Sequence, residues 1–149
     1  MATYGQMLER AGVTIPPHLQ AQVEIPVISD APQAQGDVFI VPAAMYSMPK
    51  GMKFGEPVTV PAQGTSVVEA ESAGANRHDL FAAEGTVTVE RCTTGSDENP
   101  VIMMVTVSDG SIATITHSDE HGCNSMGAGT YVITGKREWA ENTTRRVAD

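Results

Sequence analysis

The sequence predicts a mainly β protein, a small antiparallel barrel or sandwich with an extended, proline-rich N-terminal arm. Three observations predict it: short apolar segments recur from Gly36 onward, turn residues separate them every few positions, and helical periodicity is scarce there. The chain has 149 residues, of which 41% are hydrophobic and 18% charged, enough for one packed domain. We therefore divide it into an arm, residues 1–35, and a β domain, residues 36–149, that ends in a basic tail.

The arm begins with a candidate short helix over residues 4–11. Met7, Leu8 and Ala11 would share one face of it, and the following glycine can end it. Prolines beyond it favour extended chain, since proline lacks an N–H and disfavours helix in the residue before it. The arm is too apolar for a flexible tether, so we expect it to lie either on its own domain or on a neighbouring chain. Its candidate partner-binding residues are Ile15, Leu19, Val23, Ile25, Val27 and Ile28.

Apolar runs and prolines mark the first strands of the β domain. Residues 37–42 form a short apolar segment that ends in proline, and residues 57–61 begin and end with proline, as in an edge strand. Further strands are expected at residues 65–70, 78–83 and 86–92. In the last of these, valines alternate with polar residues, which predicts a strand with two unlike faces. Glu84-Gly85 is the candidate turn before it.

The second half of the domain continues the β pattern. Residues 101–105 are apolar without alternation, which predicts a strand buried on both faces. Residues 105–115 predict a hairpin, because Asp109-Gly110 between β-forming residues is the strongest short-range hairpin signal. The glycine-rich residues 117–127 are expected to form the loop before a final strand at residues 129–135.

The charge balance excludes some classes of function. Lys and Arg number 9 against 18 Asp and Glu, which gives a formal net charge of -9. A nucleic-acid binder needs clustered basic residues to neutralise phosphates, so we expect no nucleic-acid partner. No apolar stretch is long enough to span a bilayer, and the N-terminus lacks the basic start and apolar run of a signal peptide. We expect no membrane partner, and synthesis in the cytoplasm.

One group of residues is a candidate for metal chemistry. His117 and His121 lie four positions apart, and Cys123 follows two positions later. With His78 from a neighbouring strand they would supply a tetrahedron of ligand types that zinc accepts. The alternative is a polar, solvated loop in which His117 ends a strand and His121 caps a turn. We expect no cofactor, with zinc as the alternative.

Nucleophilic catalysis has weaker support in the sequence. Cys123 or Ser125 beside a histidine would supply the residue types for a thiol or hydroxyl attack. No sequence element such as a nucleophile elbow fixes their geometry, so we do not expect an enzyme.

Two further segments are candidates for partner contact. Met45 and Met48 lie in a stretch rich in proline and glycine, and methionine is used at adaptable contact surfaces as well as for filling a core. Arg145 and Arg146 belong to a basic C-terminal piece of this acidic chain. That local reversal of charge would either brace the protein internally or dock another acidic subunit.

The chain resembles a group of small uncharacterised β proteins encoded by bacteria, especially actinobacteria, and by their phages. Their pattern is QGDV…P, a histidine-rich middle, H-E-E-H, a P-G-x-Y strand and a QREY-type tail ending RRVAD. The matching segments are residues 35–38, 41–42, 78, 117–122, 129–131, 136–139 and 145–149. The resemblance covers roughly residues 35–149 and leaves out the arm.

This chain departs from that pattern at two places. The double-histidine middle is reduced to Asn76-Arg77-His78, and H-E-E-H becomes residues 117–121 with the spacing H-x3-H. If the histidines of the group bind a metal, one ligand is missing here. Residues 129–131 also resemble the second cupin motif, although its following histidine is absent.

The resemblance, the arm and the missing catalytic set together favour one function. We expect a non-enzymatic virion accessory protein, a capsid decoration or minor capsid protein that binds other particle subunits, such as a major capsid protein, through its arm. It would be made in the host cytoplasm, reside in the virion and form a homo-oligomer. The alternative is a cupin-like metal-binding enzyme or a ligand-sequestering protein that uses His78, His117 and His121.

Overall fold

The computed structural model describes residues 1–14, 22–68, 77–94, 100–118, 122–135, 137–140 and 143–146. Within them the chain forms helix α1 (Tyr4–Arg10), a 3₁₀ turn at Ala43–Met45, and a series of strands. The strands are β1 (Gln33–Gln35), β2 (Val38–Pro42), β3 (Val58–Thr59), β4 (Thr65–Ser66), β5 (His78–Glu84), β6 (Val87–Arg91), β7 (Val101–Val107), β8 (Ile112–His117), β9 (Cys123–Met126), β10 (Gly129–Gly135), β11 (Arg137–Ala140) and β12 (Thr143–Arg146).

The strands form two antiparallel sheets that pack as a sandwich. A six-stranded sheet has the order β1-β2-β10-β7-β6-β3, and a four-stranded sheet has the order β4-β5-β8-β9. Neither sheet closes into a barrel, so of the two predicted architectures the sandwich is correct. β11 and β12 pair with each other as a separate two-stranded sheet. None of the helices described is long and apolar enough to cross a membrane.

The core lies between the two sheets, and β7 shows how it is built. Every second residue of β7 is buried against the core: Val101, Met103, Val105 and Val107. Ile102 and Met104, on the other face, are half-buried. The prediction that this strand is buried on both faces is therefore wrong, because its outer face remains partly open. Leu80 of β5 and Ile115 of β8 meet the buried face from the opposite sheet.

The Asp109-Gly110 turn does not close a hairpin. It joins β7, which pairs with β6 and β10, to β8 in the other sheet, so the hairpin prediction is wrong. The Glu84-Gly85 turn likewise leads from β5 in one sheet to β6 in the other. Ser111 joins these two connections between the sheets, because its Oγ accepts a hydrogen bond from Thr86 N at 2.9 Å. Gly85 is required there, since its φ is 72° and a Cβ would collide with Ser111.

The helix forms an additional layer on the outer face of the four-stranded sheet. Thr3 and Gln6 make a capping box at its start, so two backbone N–H groups that would lack partners are satisfied. Met7 and Leu8 are buried and pack with Phe81 of β5. The predicted helix is therefore confirmed, and its apolar face covers the sheet.

The described part of the arm lies on its own domain. Ile25 N donates to Ala2 O at 3.1 Å, which folds the arm back across α1. Ile28 N donates to Ser125 O at 3.1 Å beside a parallel bridge between Val27 and Ser125, so the arm extends the sheet at β9. Of the two arrangements that the sequence leaves open, these residues adopt the intramolecular one.

Leu8→Ala tests this docking. The substitution leaves a cavity under α1, and we expect it to lower the free energy of unfolding by about 2–5 kcal/mol. The exposed Val23→Ala, on the same arm, is expected to stay within about 0.5 kcal/mol of the wild type. Urea unfolding at several protein concentrations is the measurement. A loss for Leu8→Ala that depends on protein concentration would contradict docking within one chain.

Candidate functional site

Two of the predicted metal ligands come together inside the sandwich. His78 of β5 and His117 of β8 are directly opposite each other in register. Their ring centroids lie 4.3 Å apart at an interplanar angle of 71°, and both residues are almost completely buried. The rings meet edge to face in the layer between the sheets, beside the hydrophobic core.

The predicted ligand Cys123 does not join this pair. Cys123 pairs with Thr116, the neighbour of His117, and successive residues of a strand point to opposite faces. Cys123 therefore packs under α1, in the cluster that holds Leu8. His121 lies outside the described residues. Among the residues that the structure describes, no group of three or more His, Cys, Asp or Glu could hold a metal ion.

The sequence prediction of one loop over residues 117–127 is wrong, because residues Cys123–Met126 form β9. This strand pairs with β8 and is the outer strand of the four-stranded sheet. Its side chains alternate between the two faces. Asn124 points into the sandwich, whereas Ser125 points to the α1 side and its Oγ lies 2.6 Å from Thr114 Oγ1. The pleat of β9 therefore places Cys123 on the α1 face of the sheet, whereas His78 and His117 lie on the inner face.

A network of buried amide side chains connects His78 to β9. Gln35 Nε2 donates to Ile115 O at 2.7 Å and to Asn124 Oδ1 at 2.9 Å. A carbonyl oxygen can only accept, so the first bond fixes which end of the Gln35 amide carries the hydrogens. Gln35 is 3% exposed. It therefore bridges β1 of one sheet to β8 and β9 of the other.

The network ends at a second backbone carbonyl. Asn124 Nδ2 donates to Gln33 Oε1 at 3.1 Å. Gln33 Nε2 in turn donates to Ser125 O at 3.1 Å and to Ile28 O at 3.4 Å. Because both ends of the network are carbonyl oxygens, the orientation of all three amide groups is determined without ambiguity.

The same logic assigns the hydrogens of His78. The bond to Ile115 O identifies the other amide atom of Gln35 as the oxygen, which can only accept, so His78 Nδ1 donates to Gln35 Oε1 at 2.9 Å. His78 Nε2 lies 3.0 Å from Asp37 Oδ1. That bond requires a further hydrogen, carried by the ring or by the carboxyl group. Both ring nitrogens of His78 are therefore engaged, and a metal could bind only after one of these bonds breaks.

Most residues of this site are absent from the sequence-based predictions. Gln33, Gln35 and Asp37 lie at alternate positions, the spacing of one face of a strand. The signal was available, but these residues lie around the predicted end of the arm, where prolines suggested extended chain outside the sheet. In the structure β1 is paired with β2 across a turn at Gly36, whose φ is 55°.

Burial determines the chemistry of Cys123. It raises the pKa of the Cys123 thiol from 9.0 to about 12, because the apolar surroundings disfavour the thiolate. The thiol keeps its hydrogen near neutral pH, and only the thiolate is a good nucleophile or metal ligand. Cys123 therefore serves the packing under α1.

The predicted partner-binding residues have different surroundings. Ile25 is buried in the chain's own core, and Val27, Ile28 and Met48 are half-buried. Val23 and Met45 are exposed, at 43% and 56%. In the backbone register of β11 and β12, Arg145 lies opposite Glu138 and Arg146 lies opposite Arg137. Ile15 and Leu19 lie outside the described residues.

A protein family matches the greater part of the chain. A family model described as a domain of unknown function (DUF8820) matches residues 34–136. The matched segment contains both sheets of the sandwich from Ala34 onward, and it leaves out α1 and the terminal hairpin. No curated protein and no solved structure matches.

Gln35→Ala tests the amide network. The substitution removes the side chain that bonds His78 Nδ1, Asn124 Oδ1 and Ile115 O in a buried layer, so we expect a loss of about 2–5 kcal/mol in the free energy of unfolding. The control is Gln22→Ala at an exposed position, with an expected change within about 0.5 kcal/mol. Equal effects of the two substitutions in urea unfolding would contradict the network.

Cys123 predicts a dependence of stability on pH. Between pH 9.0 and 12 the unfolded thiol loses its proton while the folded thiol keeps it. The folded state then binds more protons, so stability falls as pH rises, by about 1.4 kcal/mol per pH unit from this group. We expect Cys123→Ala to remove that slope and Cys92→Ala to retain it. Urea unfolding across this window is the measurement, and identical slopes in both variants would refute the assignment.

Proposed function

We propose that this chain, which belongs to the family described as a domain of unknown function (DUF8820), is a non-enzymatic accessory protein of a phage particle, a capsid decoration or minor capsid protein. The observation that supports a non-enzymatic role is the state of His78. Both of its ring nitrogens are engaged in hydrogen bonds inside the protein. The phage setting rests on the sequence resemblance to small phage-encoded β proteins.

The other chemically capable side chains of the described site also serve the fold. Ser125 Oγ is 2.6 Å from Thr114 Oγ1 in a buried pair on the outer face of the sheet. Cys123 is held as a neutral thiol by its raised pKa. A catalytic nucleophile needs a base within reach and access to substrate, and neither group has the exposure for that. This arrangement supports a scaffold with a binding role.

For the partner-binding surface we propose the outer edge of the six-stranded sheet at β3. β3 is the last strand of that sheet, so its outer backbone groups can pair with a strand from another protein. Val58 on this strand is 57% exposed, so an apolar side chain is available to a partner beside the open backbone groups. Pro57 and Pro61 flank the strand and limit its pairing to a short segment.

The partner that we propose is the major capsid protein of the particle. The net charge of -9 favours a partner whose contact surface is positively charged, because complementary charge speeds and orients association. The exposed Val23 and Met45 are further contact candidates. The described apolar core of the arm, Ile25 included, is already used within the chain and would not be available to a partner without undocking.

Quantitative mass spectrometry of purified particles tests the proposal. Particles of the phage that encodes the chain are expected to contain it at a fixed ratio to the major capsid protein. Val58→Asp places a charge in the proposed apolar contact, so we expect it to lower that ratio at least about tenfold. Ala128→Asp, at an exposed turn elsewhere, is the matched control and should leave the ratio unchanged.

Two results would contradict the proposal in different ways. Absence of the chain from the particles would refute the function. Presence of the chain with equal retention of Val58→Asp and Ala128→Asp would refute β3 as the contact.

A further inference from the structure

A polar cleft opens where the arm meets the four-stranded sheet. Its volume is about 300 Å³, in the range of small-molecule sites. One wall is the end of α1 with Arg10, and the opposite wall is the turn that contains Gly64. Arg77 and Asp79 complete the rim, with the buried Phe81 among the residues lining the cleft. The cleft lies on the opposite side of this sheet from the amide network.

Arg10 is held in place by contacts from three directions. Its Nη2 donates to Ala62 O at 3.1 Å, and both terminal nitrogens lie 3.5 Å from Ala82 O. The guanidinium stands over the ring of Phe81, 5.0 Å from its centroid, a cation–π arrangement. The positive charge is therefore fixed at the cleft, and these contacts place no carboxylate on it.

Arg77 is held by one carboxylate and by the arm. Its Nε donates to Asp79 Oδ2 at 2.6 Å, and its Nη2 donates to Ala11 O at 2.8 Å. The side chain remains 40% exposed. Arg77 Nη1 and Arg10 Nε make no hydrogen bond to any residue that the structure describes. Donors therefore remain on both guanidinium groups.

We infer that this cleft binds the phosphate or carboxylate group of a small ligand between Arg10 and Arg77. Among the lining residues that the structure describes, two guanidinium groups face one carboxylate, so this lining carries net positive charge on a chain whose net charge is -9. Guanidinium groups with free donors match oxyanions in geometry and in charge. Gly64 shapes the entrance: its φ is 81°, and a Cβ there would approach the Phe81 ring to 2.6 Å.

Binding would be coupled to the docking of the arm. Arg10 belongs to α1, whereas Arg77 and Asp79 belong to the domain, so the complete site exists only while the helix is docked. A ligand that binds only the docked state stabilises that state in proportion to its concentration. The oxyanion would therefore hold the arm against the sheet.

Calorimetric titration of the full chain tests the inference, with inorganic phosphate as one probe and succinate as the other. We expect saturable binding of at least one probe that weakens as salt is added. Arg77→Gln is expected to weaken it at least about tenfold. Asp79→Asn removes the competing carboxylate and is expected to tighten binding about threefold or more. Lys50→Gln, an exposed charge outside the cleft lining, should leave binding unchanged.

The opposite responses of Arg77→Gln and Asp79→Asn separate a specific site from a loss of folding. Binding of phosphate alone assigns a phosphate group to the ligand, and binding of succinate alone assigns a carboxylate. Slower amide hydrogen exchange in residues 4–10 with the bound probe would support the coupling to the arm. No binding of either probe, or equal binding by Arg77→Gln and Lys50→Gln, would overturn the inference.

Discussion

The sandwich depends on a buried network of hydrogen bonds that ties the two sheets together at one side. Gln35 and Gln33 reach from β1 to the backbone of β8 and β9, and Asn124 joins them. Buried amides destabilise a protein unless every donor and acceptor is satisfied, so the network tolerates only one register of these strands. A slip of one residue would turn Gln35 outward and leave His78 Nδ1 unsatisfied.

This constraint also explains why the histidines are poor candidates for chemistry. His78 completes the network through Gln35 and Asp37, and His117 packs its ring against it. Successive residues of the four-stranded sheet point to opposite faces. His78 and His117 therefore point into the sandwich, whereas Cys123 points to the outer face, under α1. Of the residues that suggest a zinc site in the sequence, His78 and His117 therefore lie in a polar layer, and Cys123 lies in an apolar one. In the part of the chain that the structure describes, the edge strand β3 and the charged cleft remain open to solvent.

Much of the fold follows from the sequence by simple rules. The helix was predictable because Met7 and Leu8 share a face, and β6 because its valines alternate with polar residues. The Asp109-Gly110 turn shows the limit of such rules, since a turn signal gives the place where the chain reverses and not the sheet that it enters. The face on which Cys123 lies depends on its place in β9, a segment that the sequence predicts as a loop. The bonds that join Gln33 and Gln35 to the other sheet and to His78 reach residues more than 40 positions away, which the sequence alone does not indicate.

The most direct test of this account is the state of the His78 ring. A long-range proton–nitrogen correlation spectrum of the full chain at neutral pH reports which ring nitrogens carry hydrogen. The account predicts a hydrogen on His78 Nδ1 that exchanges slowly with water and lies close to the side-chain amide of Gln35. A bare Nδ1, or a ring hydrogen that exchanges as fast as an exposed one, would contradict the claim that His78 is a structural part of the sandwich.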